Sequence, residues 1–282
     1  MGRIIFSAFS DEYSRDVCRQ TEALRTLGFT HMEPRFIGEK NIADLTEEEA
    51  RELRRVLDEA GISVSAIGYP IGKISIEDDF EAHLALAERT FRTANILGAK
   101  NIRMFSFYFP KDMTREQCRD AVIERIGALL DLADRYGVTL CHENEAKIYG
   151  ETPEYCLDLL RHFGGRLRCV FDMGNFVLDG CEPYPHAYEL LSDYIEYFHI
   201  KDSLPEGAIV PPGLGKASIR EILAAHKARG GDFIITLEPH LQLFSGLNAL
   251  TDSRFENPYK FETQEEAFIE AARLIKDIVN SI

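Results

Sequence analysis

Apolar and polar positions alternate between two textures along this chain. Short runs rich in β-branched and aromatic residues are separated by longer stretches whose apolar residues recur at helical spacing. The short runs predict strands at Ile4–Phe9, Thr30–Arg35, Ser63–Gly68, Asn101–Phe105, Val138–Glu143, Arg168–Asp172, Tyr194–Ile200 and Phe233–Glu238. The longer stretches predict helices at Arg15–Leu27, Thr46–Ala60, Phe80–Leu97, Arg115–Tyr136, Pro153–Phe163, Pro185–Leu191, Ile219–Arg229 and Glu265–Val279. Strands alternating with helices imply βαβ units and a parallel sheet. Eight such units predict a closed (β/α)8 TIM barrel of the α/β class, running as one domain over residues 1–282; a doubly wound open sheet is the alternative. Punctuation agrees, because Gly28, Gly61, Gly98, Gly137 and Gly230 each follow a helical stretch and precede a strand. The position just past a helix favours glycine for its positive φ.

The period of two within the later strands turns this outline into a site. Thr139, Cys141 and Glu143 share one face of the fifth strand, and Val170 and Asp172 one face of the sixth. Tyr197, His199 and Lys201 share a face of the seventh, and Thr236, Glu238 and His240 a face of the eighth. The opposite faces are mainly apolar, as helix-packed faces of barrel strands are. Four consecutive strands therefore finish, at the rim that carries barrel active sites, in Glu143, Asp172, His199 and Glu238. A charged side chain entering a barrel is costly unless it is paired or coordinated. Three carboxylates and one imidazole suit a hard or borderline divalent ion such as Mn²⁺, Mg²⁺ or Co²⁺ better than a cysteine-rich structural zinc site. Rim salt bridges or helix caps are the bland reading of any one of these residues.

Composition narrows the partners. The chain has 282 residues, with 32 Lys+Arg against 47 Asp+Glu and a net charge of −15, which opposes nucleic acid as a main partner. The six cysteines form no CxxC pair and several sit in apolar runs, which suits a reducing, cytoplasmic location. No apolar run is long enough for a membrane span. Three connections after strands are unusually long: Tyr69–Asp79, Asp202–Ala217 and His240–Phe261. Such loops are commonly functional, and the last is expected to cover the site.

The segments HENEAKIYGETPE (His142–Glu154), FDMGNF (Phe171–Phe176), FHIKD (Phe198–Asp202) and LEPH (Leu237–His240) resemble the xylose isomerase-like barrel superfamily, and GFTHMEPRF (Gly28–Phe36) resembles its second strand. That superfamily includes sugar epimerases and isomerases, inosose dehydratases and endonuclease IV. The resemblance implies one divalent metal ion (Mn, Co, Mg or Zn) on Glu143, Asp172, His199 and Glu238, with Glu143 and Glu238 as the acid/base pair. Glu145 shares the face of Glu143 if the strand continues and competes for that ligand position. The implied substrate is a small sugar or sugar phosphate, and a homodimer is compatible with the resemblance. Metal chelation of adjacent carbonyl and hydroxyl oxygens would acidify the C–H between them and stabilise an enediolate. Return of the proton to the other face is epimerisation, and return to the neighbouring carbon is isomerisation.

Glu33, Arg35, Arg103, Asn175, Lys201 and His240 are the candidate substrate contacts, and His31 shares the parity of Glu33 and Arg35. A rim salt bridge competes for the charged ones, and a turn role competes for Asn175. His142-Glu143 begins like HExxH, but residue 146 is Ala and the segment reads as a strand, so a zincin is rejected. Gly215-Lys216 lacks both the first glycine and the Ser/Thr of a phosphate loop; Arg35, Arg103, Lys201 and Lys216 together could still hold a phosphate. The leading expectation is a divalent-metal-dependent sugar isomerase or epimerase. A metal-dependent dehydratase or lyase of the inosose dehydratase type, and a non-catalytic ligand-binding barrel, are the alternatives. An endonuclease IV-like enzyme would need more rim histidines than this chain offers.

Overall fold

The computed structural model describes residues 2–241 and 259–282. Eight parallel barrel strands follow one another: β1 (Ile4–Ala8), β2 (His31–Met32), β3 (in two segments, Ser63–Val64 and Ala66–Ile71), β4 (Asn101–Met104), β5 (Thr139–Glu143), β6 (Leu167–Asp172), β7 (Ile195–Ile200) and β8 (Phe233–Leu237). Strand β3 pairs with β4 at Ala66↔Asn101, and successive pairs run round to β7–β8 and then β8–β1 at Ile4↔Phe233. Strand β2 fills the remaining gap. Thr30 and Glu33 donate backbone N–H bonds to Phe6 and Ala8 on one side. On the other side His31 lies opposite Ser63, and Ser65 N–H bonds Met32. The predicted second strand is longer than the observed one because Pro34 has no N–H to give the ladder, so Glu33 and Arg35 lie beyond the end of the strand.

Helices α1 (Val17–Thr26), α2 (Glu47–Ala60), α3 (Phe80–Leu97), α4 (Arg115–Tyr136), α5 (Pro153–His162), α6 (Met173–Leu178), α7 (Tyr188–Leu191), α8 (Ile219–Arg229) and α9 (Gln264–Asn280) surround the strands. A capping box of Thr46 and Glu49 opens α2, and left-handed Gly61, Gly98 and Gly137 close α2, α3 and α4. The sixth predicted helix is shorter than expected. A π-helical turn over Pro183–Ala187 leads into α7, and α6, not anticipated, follows β6 directly.

The apolar core fills the layer between strands and helices. A second, small cluster of Ala66, Cys141, Val170 and Tyr197, with Ile234 against it, plugs the barrel axis. Two residues further along β5 to β8 on the same faces, the next inward layer consists of Glu143, Asp172, His199 and Thr236. Period-two geometry thus sets an apolar floor beneath a polar mouth. Among the described residues no helix is long and apolar enough to cross a membrane. All six cysteines are unpaired thiols.

Candidate metal centre

On β5, β6 and β7 the strand end delivers its side chain because the residue two positions earlier (Cys141, Val170 or Tyr197) is locked into the apolar floor, and Glu238 follows Thr236 on the same face of β8. One ligand atom each from Glu143, Asp172, His199 and Glu238 falls within 4.8 Å of the others, and all four residues are buried. Glu145 lies outside this group and pairs with Lys73 at 2.7 Å. His31 sits at the opposite end of β2, where its Nδ1 meets the Thr30 hydroxyl at 2.8 Å.

Cations surround the cluster. Arg103 donates to Glu143 Oε2 at 3.1 Å and to the carbonyl of Gly68 at 2.5 Å. Lys201 Nζ stands 2.8 Å from Asp172 Oδ2 and 3.6 Å from Glu238 Oε2, without the alignment of a hydrogen bond. Arg35 reaches Glu238 Oε1 at 2.9 Å and Glu12 Oε1 at 3.0 Å, and it also bonds Asp11. Phe9 carries both guanidinium groups, with Arg35 at 4.0 Å and Arg103 at 4.9 Å from its ring centre. Gly68 permits this stack: a Cβ there would stand 2.5 Å from Phe9 Cε1 and 2.9 Å from Arg35 Cγ. His240 follows Glu238 with φ of 46°, a strained conformation for a residue other than glycine. Its N–H donates to Glu12 Oε2 at 2.8 Å, and its Nε2 is 3.5 Å from Glu12 and from Glu238.

Charges this deep perturb one another. Burial opposes ionisation of Glu143, but facing His199 and Arg103 outweigh it and hold the carboxyl at about 2. Burial likewise opposes ionisation of Glu238, yet Lys201, His240 and His199 keep it well below the usual range. Asp172 is pushed up to about 7 by burial, only partly relieved by Lys201. Burial would lower His199, but Glu143 and Glu33 raise it well above an ordinary imidazole. Glu12 rises to about 8 through burial, with Arg35 pulling it down and Glu238 and Asp11 pushing it up.

These residues fit a divalent ion. Among the described residues Asp172 Oδ2 and Glu238 Oε2 are buried and accept no aligned hydrogen bond; Lys201 stands 2.8 and 3.6 Å from them, and a bound cation would complete their remaining lone pairs. Among the described residues, six buried acidic groups at the mouth (Asp11, Glu12, Glu33, Glu143, Asp172, Glu238) face three buried permanent cations (Arg35, Arg103, Lys201). A doubly charged ion would remove most of that imbalance, and the carboxylate-rich donor set is that of a hard or borderline metal.

Two expected substrate contacts have other surroundings. Glu33 does not face the mouth: it is fully buried beneath His199, with one oxygen 3.2 Å from Nε2 and the other accepting the Tyr197 hydroxyl at 3.1 Å. The side-chain amide of Asn175 donates to Asn144 O at 2.8 Å, and its backbone N–H donates to Asp172 Oδ1, the N-cap of α6, at 2.8 Å. Asn144, which sequence reasoning passed over, grips the backbone N–H and C=O of Asp172 through its side chain at 3.0 and 2.9 Å. Asp11 and Glu12 were also missed, although an acidic pair directly after a first barrel strand was a readable signal.

The loop after β7 is organised from within. Asp202 accepts backbone N–H bonds from Ser203, Gly213, Gly215 and Ala217 at 2.8–3.0 Å, so an internal carboxylate holds the amides a phosphate would need. Lys216 is exposed on the same loop. The connection expected to cover the site falls largely on residues 242–258, outside the described residues.

A closed parallel barrel with a carboxylate-rich cluster at the C-terminal ends of its strands defines the class. The chain belongs to the family described as xylose isomerase-like TIM barrel, whose model matches residues 21–278. Solved structures agree on the fold. L-ribulose 3-epimerase is 18% identical with a TM-score of 0.77, covering 100% of this chain and 95% of that one. The IOLI protein with a bound zinc atom is 17% identical with a TM-score of 0.75, over 99% and 98% of the two chains. The probable 3-DHS dehydratase AsbF, involved in petrobactin synthesis in Bacillus anthracis, is 18% identical with a TM-score of 0.73, over 98% and 99%. At these identities the likeness concerns the fold. No curated protein matches the chain by sequence.

Proposed function

We propose that this protein is a divalent-metal-dependent isomerase or epimerase of a small sugar, working by proton transfer at a carbon beside a carbonyl. The observation that carries this reading is the buried Glu143–Asp172–His199–Glu238 group with its two carboxylate oxygens that accept no aligned hydrogen bond among the described residues. An epimerase and a zinc-bound protein among the structural neighbours support it. When bound, a divalent ion supplies Lewis-acid stabilisation of negative charge developing on adjacent substrate oxygens.

The chain's own residues divide the remaining work. Among the described residues Glu238 Oε2 accepts no aligned hydrogen bond, whereas both oxygens of Glu143 are engaged by His199 and Arg103, so Glu238 Oε2 is geometrically the freer to meet a substrate proton. Glu238 removes the proton, and Glu143 or Glu238 returns one. Arg103 Nε is buried with no hydrogen-bond partner among the described residues, and Arg103, beside Glu143 and Glu238, stands ready to hold a substrate oxygen. Lys201, Arg35 and His240 border the same group and hold hydroxyl or carbonyl oxygens.

One observation favours a second reading, dehydration. Lys201 brings an ammonium group within 2.8 Å of Asp172 Oδ2. An elimination needs an acid to protonate the departing hydroxide while Glu238 takes the α-proton, and Lys201 is placed for that; a dehydratase stands among the neighbours.

The test is solvent exchange. Protein loaded with Mn²⁺ or Zn²⁺ is incubated in D₂O with a panel of ketoses and followed by NMR after metal removal. Deuterium at the carbon beside the carbonyl, reduced by about 10²–10⁴-fold in Glu238→Gln, supports the reading. Water loss with a new C=C or C=O selects dehydration. Full exchange activity in Glu238→Gln removes that residue from the proton transfer, and binding of a sugar without exchange leaves a non-catalytic barrel.

A further inference from the structure

The barrel treats the two ring nitrogens of His199 differently. Nδ1 faces the cluster, 3.0 Å from Glu143 Oε1 and 3.3 Å from Glu238 Oε2. Nε2 faces away from it, 3.2 Å from Glu33 Oε2. The other oxygen of Glu33 is occupied by the Tyr197 hydroxyl at 3.1 Å. Edge-on aromatic rings restrain the imidazole as well, Phe9 at 5.0 Å and Tyr197 at 5.5 Å between ring centres. Glu33 has no exposed surface, so it cannot meet a substrate entering from the mouth. A carboxylate at such depth is costly unless a specific partner requires its charge.

We propose that Glu33 is a positioning residue for His199: it accepts the Nε2–H hydrogen bond and so fixes the tautomer whose lone pair is on Nδ1, on the side of the three carboxylates. The inference rests on the metal reading given above. A metal-binding imidazole is neutral and keeps its one proton on the nitrogen remote from the ion. A carboxylate accepting that proton sets the ring's rotation and raises the basicity of the ligating nitrogen. Tyr197, through its O–H, keeps Glu33 from turning away. Strand β2 places no group in the four-residue cluster, yet through Glu33 it determines which atom of β7 enters that cluster.

Two measurements with zinc as the probe test this. In the long-range ¹H–¹⁵N spectrum of zinc-loaded wild type, the expected pattern has His199 protonated at Nε2 with Nδ1 shifted by coordination. Coordination through Nε2 overturns the proposal, and this result needs no variant to fold. Chelator competition then gives zinc affinity. Glu33→Gln is expected to weaken it by about 10–100-fold, and Tyr197→Phe, which keeps the carboxylate, by less. A purely structural role would lower the melting temperature of the zinc-free protein and leave the affinity of the folded fraction unchanged. Glu33→Gln binding zinc within twofold of wild type therefore overturns the proposal while sparing the metal reading. Wild type that takes up no zinc overturns both.

Discussion

Replacing Arg35 by Met removes the one guanidinium that serves three buried carboxylates. Arg35 contacts Asp11 at 3.2 Å, Glu12 at 3.0 Å and Glu238 at 2.9 Å, and all four side chains are at most 8% exposed. Breaking a buried ion pair by deleting one partner costs about 3–5 kcal/mol, because the surviving charge is left without compensation. Loss of the stack on Phe9 adds roughly 0.5–2 kcal/mol. For a chain of this size each kcal/mol lowers the melting temperature by about 2–4 °C, so a fall on the order of 10 °C is expected. The loss also depends on pH, with a definite sign. Glu12 titrates near 8 in the folded protein against 4.5 as its ordinary value. Its folded form therefore binds more protons across that window, and stability falls as pH rises through it. Arg35 pulls Glu12 down, so without Arg35 the value moves further up and the Glu12 part of the destabilisation grows as pH rises through about 8. Thermal melts of wild type and Arg35→Met, in chelator at several pH values, give the answer. A melting temperature within 2 °C of wild type at pH 8, or a deficit that shrinks as pH rises, refutes this account of the mouth.

Three further outcomes are expected. Asp202→Asn places an amide N–H₂ against two of the backbone N–H groups that Asp202 now accepts; a loss of about 2–4 kcal/mol follows, read by urea melts, and wild-type stability would count against the organising role of that carboxylate. Gly68→Ala puts a methyl 2.5 Å from Phe9 Cε1 and is expected to cost about 1–3 kcal/mol by overpacking; an unchanged melting curve would contradict the Phe9–Arg35 stack. A divalent ion at 100 times its Kd should stabilise the fold by about 2.7 kcal/mol, visible as a rise of several degrees that Asp172→Asn abolishes; an equal rise in that variant would place the ion elsewhere.

The barrel was legible because its signals are local. Strands of period two alternate with amphipathic helices, and that rhythm alone puts Glu143, Asp172, His199 and Glu238 on one side. The mouth was less legible because its remaining members obey no period. Pro34 breaks the ladder between Glu33 and Arg35, so two residues of equal parity end at different depths: one lies beneath His199 and the other against Glu238. Asn144 grips the backbone of Asp172 from the neighbouring strand and Asn175 bonds the carbonyl of Asn144, relationships that one strand's pattern does not carry. Asp11 and Glu12 lie on a 3₁₀ turn, Ser10–Glu12, where neither the helical nor the strand rule applies.

The central claim is that four strand ends hold a divalent ion, and elemental analysis tests it most directly. Wild type is compared with Glu143→Gln, Asp172→Asn, His199→Ala and Glu238→Gln after loading with Mn²⁺, Co²⁺, Mg²⁺ or Zn²⁺ and removal of excess. The account predicts about one ion per wild-type chain and a marked loss in each folded variant. A folded wild-type protein that retains no ion under any loading condition, or four variants that retain it as wild type does, would contradict the claim.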